Sequence, residues 1–390
     1  MNFIIRSLTE EDGRAAMFLG SLAWNNPVDI DAKLAEHPYV PPTNKVALFT
    51  EDGVLVCTLS RNEFQVYFEG EPVPMLGIGG VCTLPEYRRC GAVRQGMAYI
   101  LNNAYDSGVV FSALWPFAHG FYRKFGYEMA VPLSVYTIPT ELLAPIRSAL
   151  PVRRLAEKEE TATLTSIRNQ FVRKYNMAVC RNDVRTDWVL RGDTNAQLIS
   201  RFLLGDKAYV CFDTKPCCAP PPKPNPPMPV KDWGCTELRY LPEVLSALGR
   251  YYPNIQQVRL EVPCDLMLET FFPTSYPIEH KVECAPMVRV VNVKEVLTRL
   301  RRPTDASFTV EVHDDLLAQN DGVWRVGPDG AEKTDRSPDL VCDIRALAPM
   351  VLGAWDLDQA LIYPGVQVNG NEATLREVFI KKRVYMSDFF

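Results

Sequence analysis

The 390-residue sequence lacks several features that would place it in a specialised class. No run approaches the roughly 18 uninterrupted apolar residues of a membrane span. The N-terminus turns acidic by Glu10, before any apolar region of signal-peptide length. Histidine is scarce, with four in the chain, and the eleven cysteines include no Cys-x-x-Cys pair. These absences argue against a zinc site and a disulfide framework, so we expect a cytoplasmic protein with reduced thiols, no metal and no membrane contact.

A strong charge of one sign is missing as well. The 42 basic and 47 acidic residues are interspersed and leave a formal net charge of −5. Proteins that bind a phosphate backbone gather basic residues on one face, so we expect no nucleic-acid partner. Apolar residues make up 47% and charged residues 23% of the chain, as in ordinary soluble proteins. The length then predicts more than one domain.

The first predicted domain, residues 1–148, mixes strands and helices. Asp52-Gly53 between two apolar runs is typical of a hairpin turn. The apolar run from Met75 to Leu84 carries three glycines, which permit a bulge or the close approach of another backbone. Helical spacing from Gly91 to Tyr105 and a strand pattern from Val109 to Leu114 follow. A strand, a helix and a parallel strand make an α/β unit, whose ligand site lies at the carboxyl ends of the strands.

Two further domains are predicted after this one. Residues 149–285 repeat the strand-then-helix plan, and eight prolines within Pro216–Pro229 favour an extended surface loop over a recognition ligand. Residues 286–390 show a different pattern of apolar and polar residues. An alternating strand from Ser307 to His313 and a helix from Asp343 to Gly353 indicate an α+β module.

A turn rich in arginine and glycine follows the glycine-bearing strand. A glycine turn that opens a helix leaves the first N–H groups of the helix without partners, and these groups suit a pyrophosphate. An isolated Arg-x-x-Gly is usually an ordinary turn, but the glycine-bearing strand before it and the second strand after it favour a phosphate site here. The predicted cofactor-binding residues are Val81, Cys82, Thr83, Arg88, Arg89, Gly91, Ala92, Val93 and Arg94.

This turn resembles the CoA motif of the GCN5-related N-acetyltransferases (GNAT), Arg/Gln-x-x-Gly-x-Gly/Ala, with Val93 in place of the last small residue. Together with Phe121-Tyr122-Arg123-Lys124-Phe125-Gly126-Tyr127, the segment is similar to the Eis (enhanced intracellular survival) family of multi-acetylating aminoglycoside acetyltransferases. The resemblance implies a chain of α/β and α+β class. Tandem GNAT-fold domains, the first active and the second degenerate, precede a sterol-carrier-protein-like domain. Residues 236–241 enter a helix without an Arg-x-x-Gly turn, so we expect no CoA in the second domain.

The resemblance also implies the catalytic residues. In acetyl transfer a neutral amine attacks the thioester and the CoA thiolate leaves, so the reaction needs a base and an acid. The family's acid falls on Tyr122, and we expect Tyr127 to be structural. The family's base is the carboxylate of a C-terminal phenylalanine, which falls on Phe390. Asp388, His119 and water are alternative bases.

We therefore expect an acetyl-CoA-dependent N-acetyltransferase that acts on an amine of a cationic acceptor, such as an aminoglycoside or a polyamine. The family's hexamer implies a homo-oligomer. One alternative is a ligand-binding or regulatory protein that uses the sterol-carrier-like module while the acetyltransferase domain is vestigial, and another is a scaffolding oligomer. Intact Arg88, Gly91 and Tyr122 favour the enzyme.

Overall fold

The computed structural model describes residues 1–191, 199–214, 226–284 and 286–390. Within these residues, no helix is both long enough and apolar enough to cross a membrane. The strands are β1 (Ile4–Arg6), β2 (Lys45–Phe49), β3 (Leu55–Phe68), β4 (Glu71–Thr83), β5 (Phe111–Leu114), β6 (Glu128–Met129), β7 (Pro132–Pro139), β8 (Val152–Arg154), β9 (Ile199–Leu204), β10 (Ala208–Asp213), β11 (Met228–Cys235), β12 (Gln257–Pro263), β13 (Glu279–Cys284), β14 (Met287–Val290), β15 (Phe308–His313), β16 (Gly322–Gly327), β17 (Gly330–Lys333), β18 (Leu340–Asp343) and β19 (Gln367–Val368). The helices are α1 (Gly13–Trp24), α2 (Ile30–Glu36), α3 (Ala92–Asp106), α4 (His119–Arg123), α5 (Thr140–Leu143), α6 (Thr161–Val172), α7 (Asp183–Leu190), α8 (Leu241–Gly249), α9 (Val293–Arg299), α10 (Ile344–Leu352), α11 (Leu357–Leu361) and α12 (Glu372–Val378).

The first sheet has the order β1-β2-β3-β4-β5-β14-β6. The predicted hairpin is confirmed, because β2 and β3 pair antiparallel and Gly53 between them has a left-handed φ of 88°. β4 and β5 pair in parallel, from Met75 opposite Phe111 to Ile78 opposite Leu114, and α3 connects them. The predicted α/β unit is therefore present in the first domain.

The sheets exchange strands across the domain borders that the sequence suggested. β7 belongs to the second sheet, whose order is β13-β7-β12-β11-β10-β9-β8, and β14 lies between β5 and β6 in the first. Sheet membership therefore changes between β6 and β7 and again between β13 and β14, whereas the predicted borders follow residues 148 and 285. The first two domains cannot separate without breaking strand pairs. The borders themselves stay a prediction.

The second sheet repeats the plan of the first without its glycine turn. β11 and β12 pair in parallel, and α8 lies between them in the chain. α8 opens at Leu241 with a proline in its first turn, and residues 236–241 contain no left-handed residue. Most of the proline-rich stretch 216–229 lies outside the described residues, and its last two residues, Met228 and Pro229, begin β11.

The C-terminal module packs against the first sheet. Its own sheet has the order β17-β16-β15-β18-β19. Gly353 caps α10, and its left-handed φ of 78° stops the helix where the sequence predicted. Val310 and Leu347 of this module lie in the same apolar core as Met75 and Phe111 of the first sheet. The apolar faces of the two units therefore bury each other.

Candidate active site

The predicted phosphate turn opens α3 with two left-handed residues. Arg89 has a φ of 65° and Gly91 a φ of 89°, and Ala92 is the first residue of the helix. Nothing lies within 4 Å of a Cβ atom built on Gly91, so this position needs glycine for its backbone conformation and leaves room for a ligand. The first N–H groups of α3 have no partners within the helix and are available to an anion.

A cavity of about 850 Å³, which we term the CoA groove, runs along this turn. Its charged lining residues are all positive: Arg88, Arg89, Arg94 and Lys124. Positive charge at a helix N-terminus fits the phosphates of CoA, and the apolar part of the wall fits its less polar arm. All nine predicted cofactor-binding residues line the groove, namely Val81, Cys82, Thr83, Arg88, Arg89, Gly91, Ala92, Val93 and Arg94.

A bulge in β4 forms the inner end of the CoA groove. Gly80 and Val81 stand opposite the single residue Leu59 of β3. Gly80 has a φ of 54°, and a Cβ atom there would lie 2.8 Å from the Ser60 hydroxyl. β4 pairs with β5 only as far as Ile78, and the two strands then part. The backbone beyond this point is free to bind an extended pantetheine arm by strand-like hydrogen bonds.

Tyr122 lies on α4 at the border of a second cavity of about 680 Å³, the reaction cavity, which shares Trp24, Val81 and Phe117 with the CoA groove. The side chain is 4% exposed, and its ring contacts Phe117 and Phe121 edge-on at 5.5 and 5.1 Å. Burial, with a smaller effect of Cys82, raises the pKa of Tyr122 to about 12. The phenol is therefore protonated at neutral pH, and it can act as a donor but not as a base.

Phe390 lies on the glycines of β4. Its ring contacts Phe64 at 5.0 Å and covers Gly77, where a Cβ atom would stand 2.5 Å from the ring. A backbone oxygen of Phe390 is 3.3 Å from where a Cβ atom of Gly79 would be. Phe390 and Tyr122 both line the reaction cavity. The close approach that these glycines permit is thus made by residue 390, and the two predicted catalytic residues come together.

Two segments of the chain match models of known protein families. Residues 4–130 match the family model described as acetyltransferase (GNAT) domain. The chain carries a GNAT acetyltransferase domain. Residues 293–387 match the family model described as sterol carrier protein domain. Because a GNAT domain transfers an acyl group from acyl-CoA to an acceptor, the predicted enzyme class is confirmed. Of the predicted acetyl-CoA, the comparison confirms the use of an acyl-CoA co-substrate.

Solved structures share the fold over the whole chain. A probable N-acyltransferase from Enterococcus faecalis V583 is 20% identical with a TM-score of 0.84, and both chains are covered in full. A GCN5-related N-acetyltransferase from Anabaena variabilis is also 20% identical over both full chains, with a TM-score of 0.85. Eis1 from Mycobacterium abscessus is 18% identical, with 99% of this chain and 100% of that chain covered and a TM-score of 0.81. The predicted Eis-like arrangement of folds along the chain is therefore confirmed. No curated protein matches the sequence.

Among the alternative bases, Asp388 is engaged elsewhere. Its carboxylate is 1% exposed and accepts hydrogen bonds from Arg181 and Arg185 at 3.0 Å each. Burial alone would raise the pKa of Asp388, but the charge and hydrogen bonds of Arg181 outweigh burial and hold this pKa below its ordinary value. A carboxylate bound by two arginines is a poor base. His119 lines the reaction cavity, with Nε2 3.5 Å from the Cys284 carbonyl oxygen, and remains an alternative.

A third cavity of about 530 Å³, the side cavity, was not predicted from the sequence. It lies between β3 of the GNAT domain and α7 of the second domain, and Phe390 lines both this cavity and the reaction cavity. Glu63 and Arg185 are its charged lining residues, and Phe64 and Trp188 give it aromatic walls. Nothing local in the sequence marks these residues, because the cavity exists only where two domains meet.

Proposed function

We propose that this chain transfers an acetyl group from acetyl-CoA to an amine of a small cationic acceptor, with Tyr122 and the Phe390 carboxylate on either side of the reacting thioester. The observation that carries the proposal is the meeting of the CoA groove with a cavity lined by both residues. The bulge at Val81 lies between the two cavities. Val81, Tyr122 and Phe390 line one cavity, which supports a thioester held at the bulge between the two groups.

In the proposed reaction the amine nitrogen attacks the thioester carbonyl, the carbon–sulfur bond breaks and the amine proton passes to the Phe390 carboxylate. An ordinary terminal carboxyl has a pKa near 3.5 and an amine one near 10, so the carboxylate helps only where the site is partly dry and the amine is held beside it. The half-buried setting of Phe390 over Gly77 and Gly79 supports this role. Acetyl-CoA, rather than a longer acyl-CoA, is the donor that the resemblance implies.

Tyr122 acts on the leaving sulfur. With a pKa of about 12, its phenol is a weaker acid than a thiol of ordinary pKa near 8.5. Full proton transfer to the thiolate is therefore uphill, and the hydroxyl stabilises the developing negative charge as a hydrogen-bond donor. This role is weaker than the outright proton donation that the sequence suggested.

The charges beside Phe390 support an acceptor with few positive charges. Glu63 is the acidic lining residue of the side cavity, and Arg185 there is already paired with Asp388. In the reaction cavity, the positive charge of Lys281 neutralises the negative charge of Glu283. A diamine or short polyamine therefore fits better than an aminoglycoside with many amino groups. On the resemblance alone we further propose a cytoplasmic homo-oligomer, a hexamer.

The test is thiol release from acetyl-CoA with matched monoamines, diamines, polyamines and aminoglycosides, with each product identified by mass. We expect release with amines and the highest kcat/KM with di- or polyamines. Absence of turnover with every amine, in a protein that binds acetyl-CoA, would favour the ligand-binding or scaffolding alternative.

A further inference from the structure

The last residues of the chain run along the second domain. The backbone N–H of Tyr385 donates to the Asn176 carbonyl at 3.0 Å, and Arg168 donates to the Ser387 hydroxyl at 2.8 Å. Arg383 pairs with Asp265 at 2.8 Å. The segment that ends in the active site is therefore held by residues of the second domain.

Arg185 donates hydrogen bonds to the two residues that precede Phe390. Its Nε atom donates to the Asp388 carboxylate at 3.0 Å, and its Nη2 atom donates to the Phe389 carbonyl at 2.7 Å. One guanidinium thus fixes the side chain of one residue and the peptide unit of the next. After these two anchors, the freedom left to the Phe390 carboxylate lies in the dihedral angles of its own residue.

The guanidinium of Arg185 is itself held in place. It lies over the rings of Phe64 and Trp188, with centroid distances of 5.1 and 4.3 Å, and the side chain is 14% exposed. Its backbone N–H donates to the Asn182 side chain at 2.8 Å, which caps α7. Phe64 also contacts the ring of Phe390. Arg185 therefore belongs to a packed group in which Phe64 contacts the ring of Phe390 and Arg185 holds the two residues before it.

Behind Arg185 lies a buried cluster of charges. Arg181 pairs with both Asp388 and Asp232 and is 1% exposed. Arg168 lies 3.6 Å from Asp232, and among the described residues its Nε and Nη1 atoms have no hydrogen-bond partner. The cluster thus contains three arginines and two aspartates, and its net charge is positive.

We propose that Arg185 is a positioning residue for acetyl transfer, and that the second domain, which lacks the CoA turn, serves to hold the Phe390 carboxylate against the thioester. The inference rests on the proposed role of that carboxylate. A displacement of about 1 Å at a reacting group can cost on the order of 10² in rate, so a chain end held only by its own backbone loses most of its effect.

The experiment compares Arg185→Ala and Arg185→Lys with Arg239→Ala, which removes an exposed arginine of the same domain that is paired with Glu237. We expect Arg185→Ala to lower kcat by about 10²-fold with the Kd for acetyl-CoA unchanged. Lysine keeps the positive charge but cannot bridge two acceptors with a planar guanidinium. The kcat of Arg185→Lys should therefore lie between that of Arg185→Ala and that of the native enzyme. Arg239→Ala should match the native enzyme in kcat and in melting temperature.

A pH profile separates positioning from a structural loss. Without a placed base only the neutral amine reacts, and its fraction rises about tenfold per pH unit below an amine pKa near 10. The kcat of Arg185→Ala should therefore recover steeply between pH 7 and 9, whereas a damaged fold is not rescued by alkali. A rise in the acceptor KM with unchanged kcat would make Arg185 an acceptor-binding residue and overturn the proposal.

A chain extended by a few residues beyond Phe390 distinguishes this inference from the proposed function. If the extension lowers turnover to a residual rate that is still measurable and Arg185→Ala in the extended chain adds no further loss, Arg185 acts through the chain end. If the extension abolishes turnover but Arg185→Ala alone keeps native kcat, the positioning role is wrong and the carboxylate role stands. Full activity in the extended chain removes the carboxylate role itself.

Discussion

The ring of Phe390 and the backbone of Gly77 are in such close contact that a Cβ atom on the glycine would stand 2.5 Å from the ring. The two residues are far apart in the sequence, yet the ring of one packs directly on the backbone of the other. A glycine in the middle of a strand weakens the strand, so its presence in β4 needs a reason, and the packed chain end supplies one.

Replacing Gly77 should therefore disturb catalysis rather than cofactor binding. In Gly77→Ala the added methyl group must push the Phe390 ring aside, and we expect kcat to fall by tenfold or more, on the order of the cost of a misplaced reacting group. Gly20→Ala, on α1 with nothing within 4 Å of its Cβ position, is the control and should be neutral. Steady-state kinetics and acetyl-CoA titration decide the question, and unchanged kcat in Gly77→Ala would contradict a catalytic role of residue 390.

The glycine turn before α3 predicts a selective loss of CoA binding. Gly91→Asp adds a negative charge and a strained left-handed residue beside the phosphate site, so the Kd for acetyl-CoA should rise by tenfold or more. Gly108→Asp is a matched control, because Gly108 has a φ of 75° and open space at the other end of α3. Calorimetry should show one acetyl-CoA site per chain in the native protein. Of the two variants, only Gly91→Asp should weaken acetyl-CoA binding. Two sites per chain would contradict the expectation that the second domain binds no CoA.

Tyr122 and Tyr127 offer a second matched pair. Tyr122→Phe removes the hydrogen-bond donor at the leaving sulfur and should lower kcat by about 10² or more. Tyr127 is buried with its hydroxyl 2.6 Å from Ser112, so Tyr127→Phe should cost roughly 1 kcal/mol of unfolding free energy and leave kcat near native. Kinetics and thermal unfolding of both variants test the assignment, which fails if the two variants lose kcat equally.

The pKa of Tyr122 sets an expected pH dependence. Because burial raises this pKa to about 12, the hydroxyl keeps its proton throughout the range from pH 7 to 10. The native rate should therefore show no alkaline decline from this group below pH 10. A decline with an apparent pKa near 9 that disappears in Tyr122→Phe would show that the tyrosine titrates in the working range.

Acid should release the chain end. The pKa of Asp388 is lower in the folded protein than its ordinary value of 3.8, so its ion pairs stabilise the fold above that value and are lost as pH falls through the lower folded value. Melting temperature should therefore decline below about pH 4, and Asp388→Asn should flatten this part of the profile while lowering stability at pH 7. An identical acid profile in native protein and variant would assign the loss to other carboxylates.

The sequence by itself determined the features that depend on neighbouring residues. A left-handed glycine followed by apolar residues at helical spacing specifies the turn at Gly91 and α3 wherever the chain goes next, and Asp52-Gly53 specifies its hairpin in the same way. The Tyr122 motif and the order of the three units were also legible in the sequence. The turn, the hairpin and the Tyr122 motif are each contained within a few dozen residues.

Only the tertiary structure decided what surrounds the reacting groups. The pairing of β14 with β5 and β6, and of β7 with β12 and β13, joins strands whose sequences carry no mark of their partners, because strand pairing is selected by packing. Arg185 reaches Asp388 across 203 residues, and nothing near either residue predicts the contact. Burial of that ion pair, and of Tyr122, is a property of the assembled core. It turned Asp388 from a candidate base into an anchor and made Tyr122 a weaker acid than an exposed tyrosine.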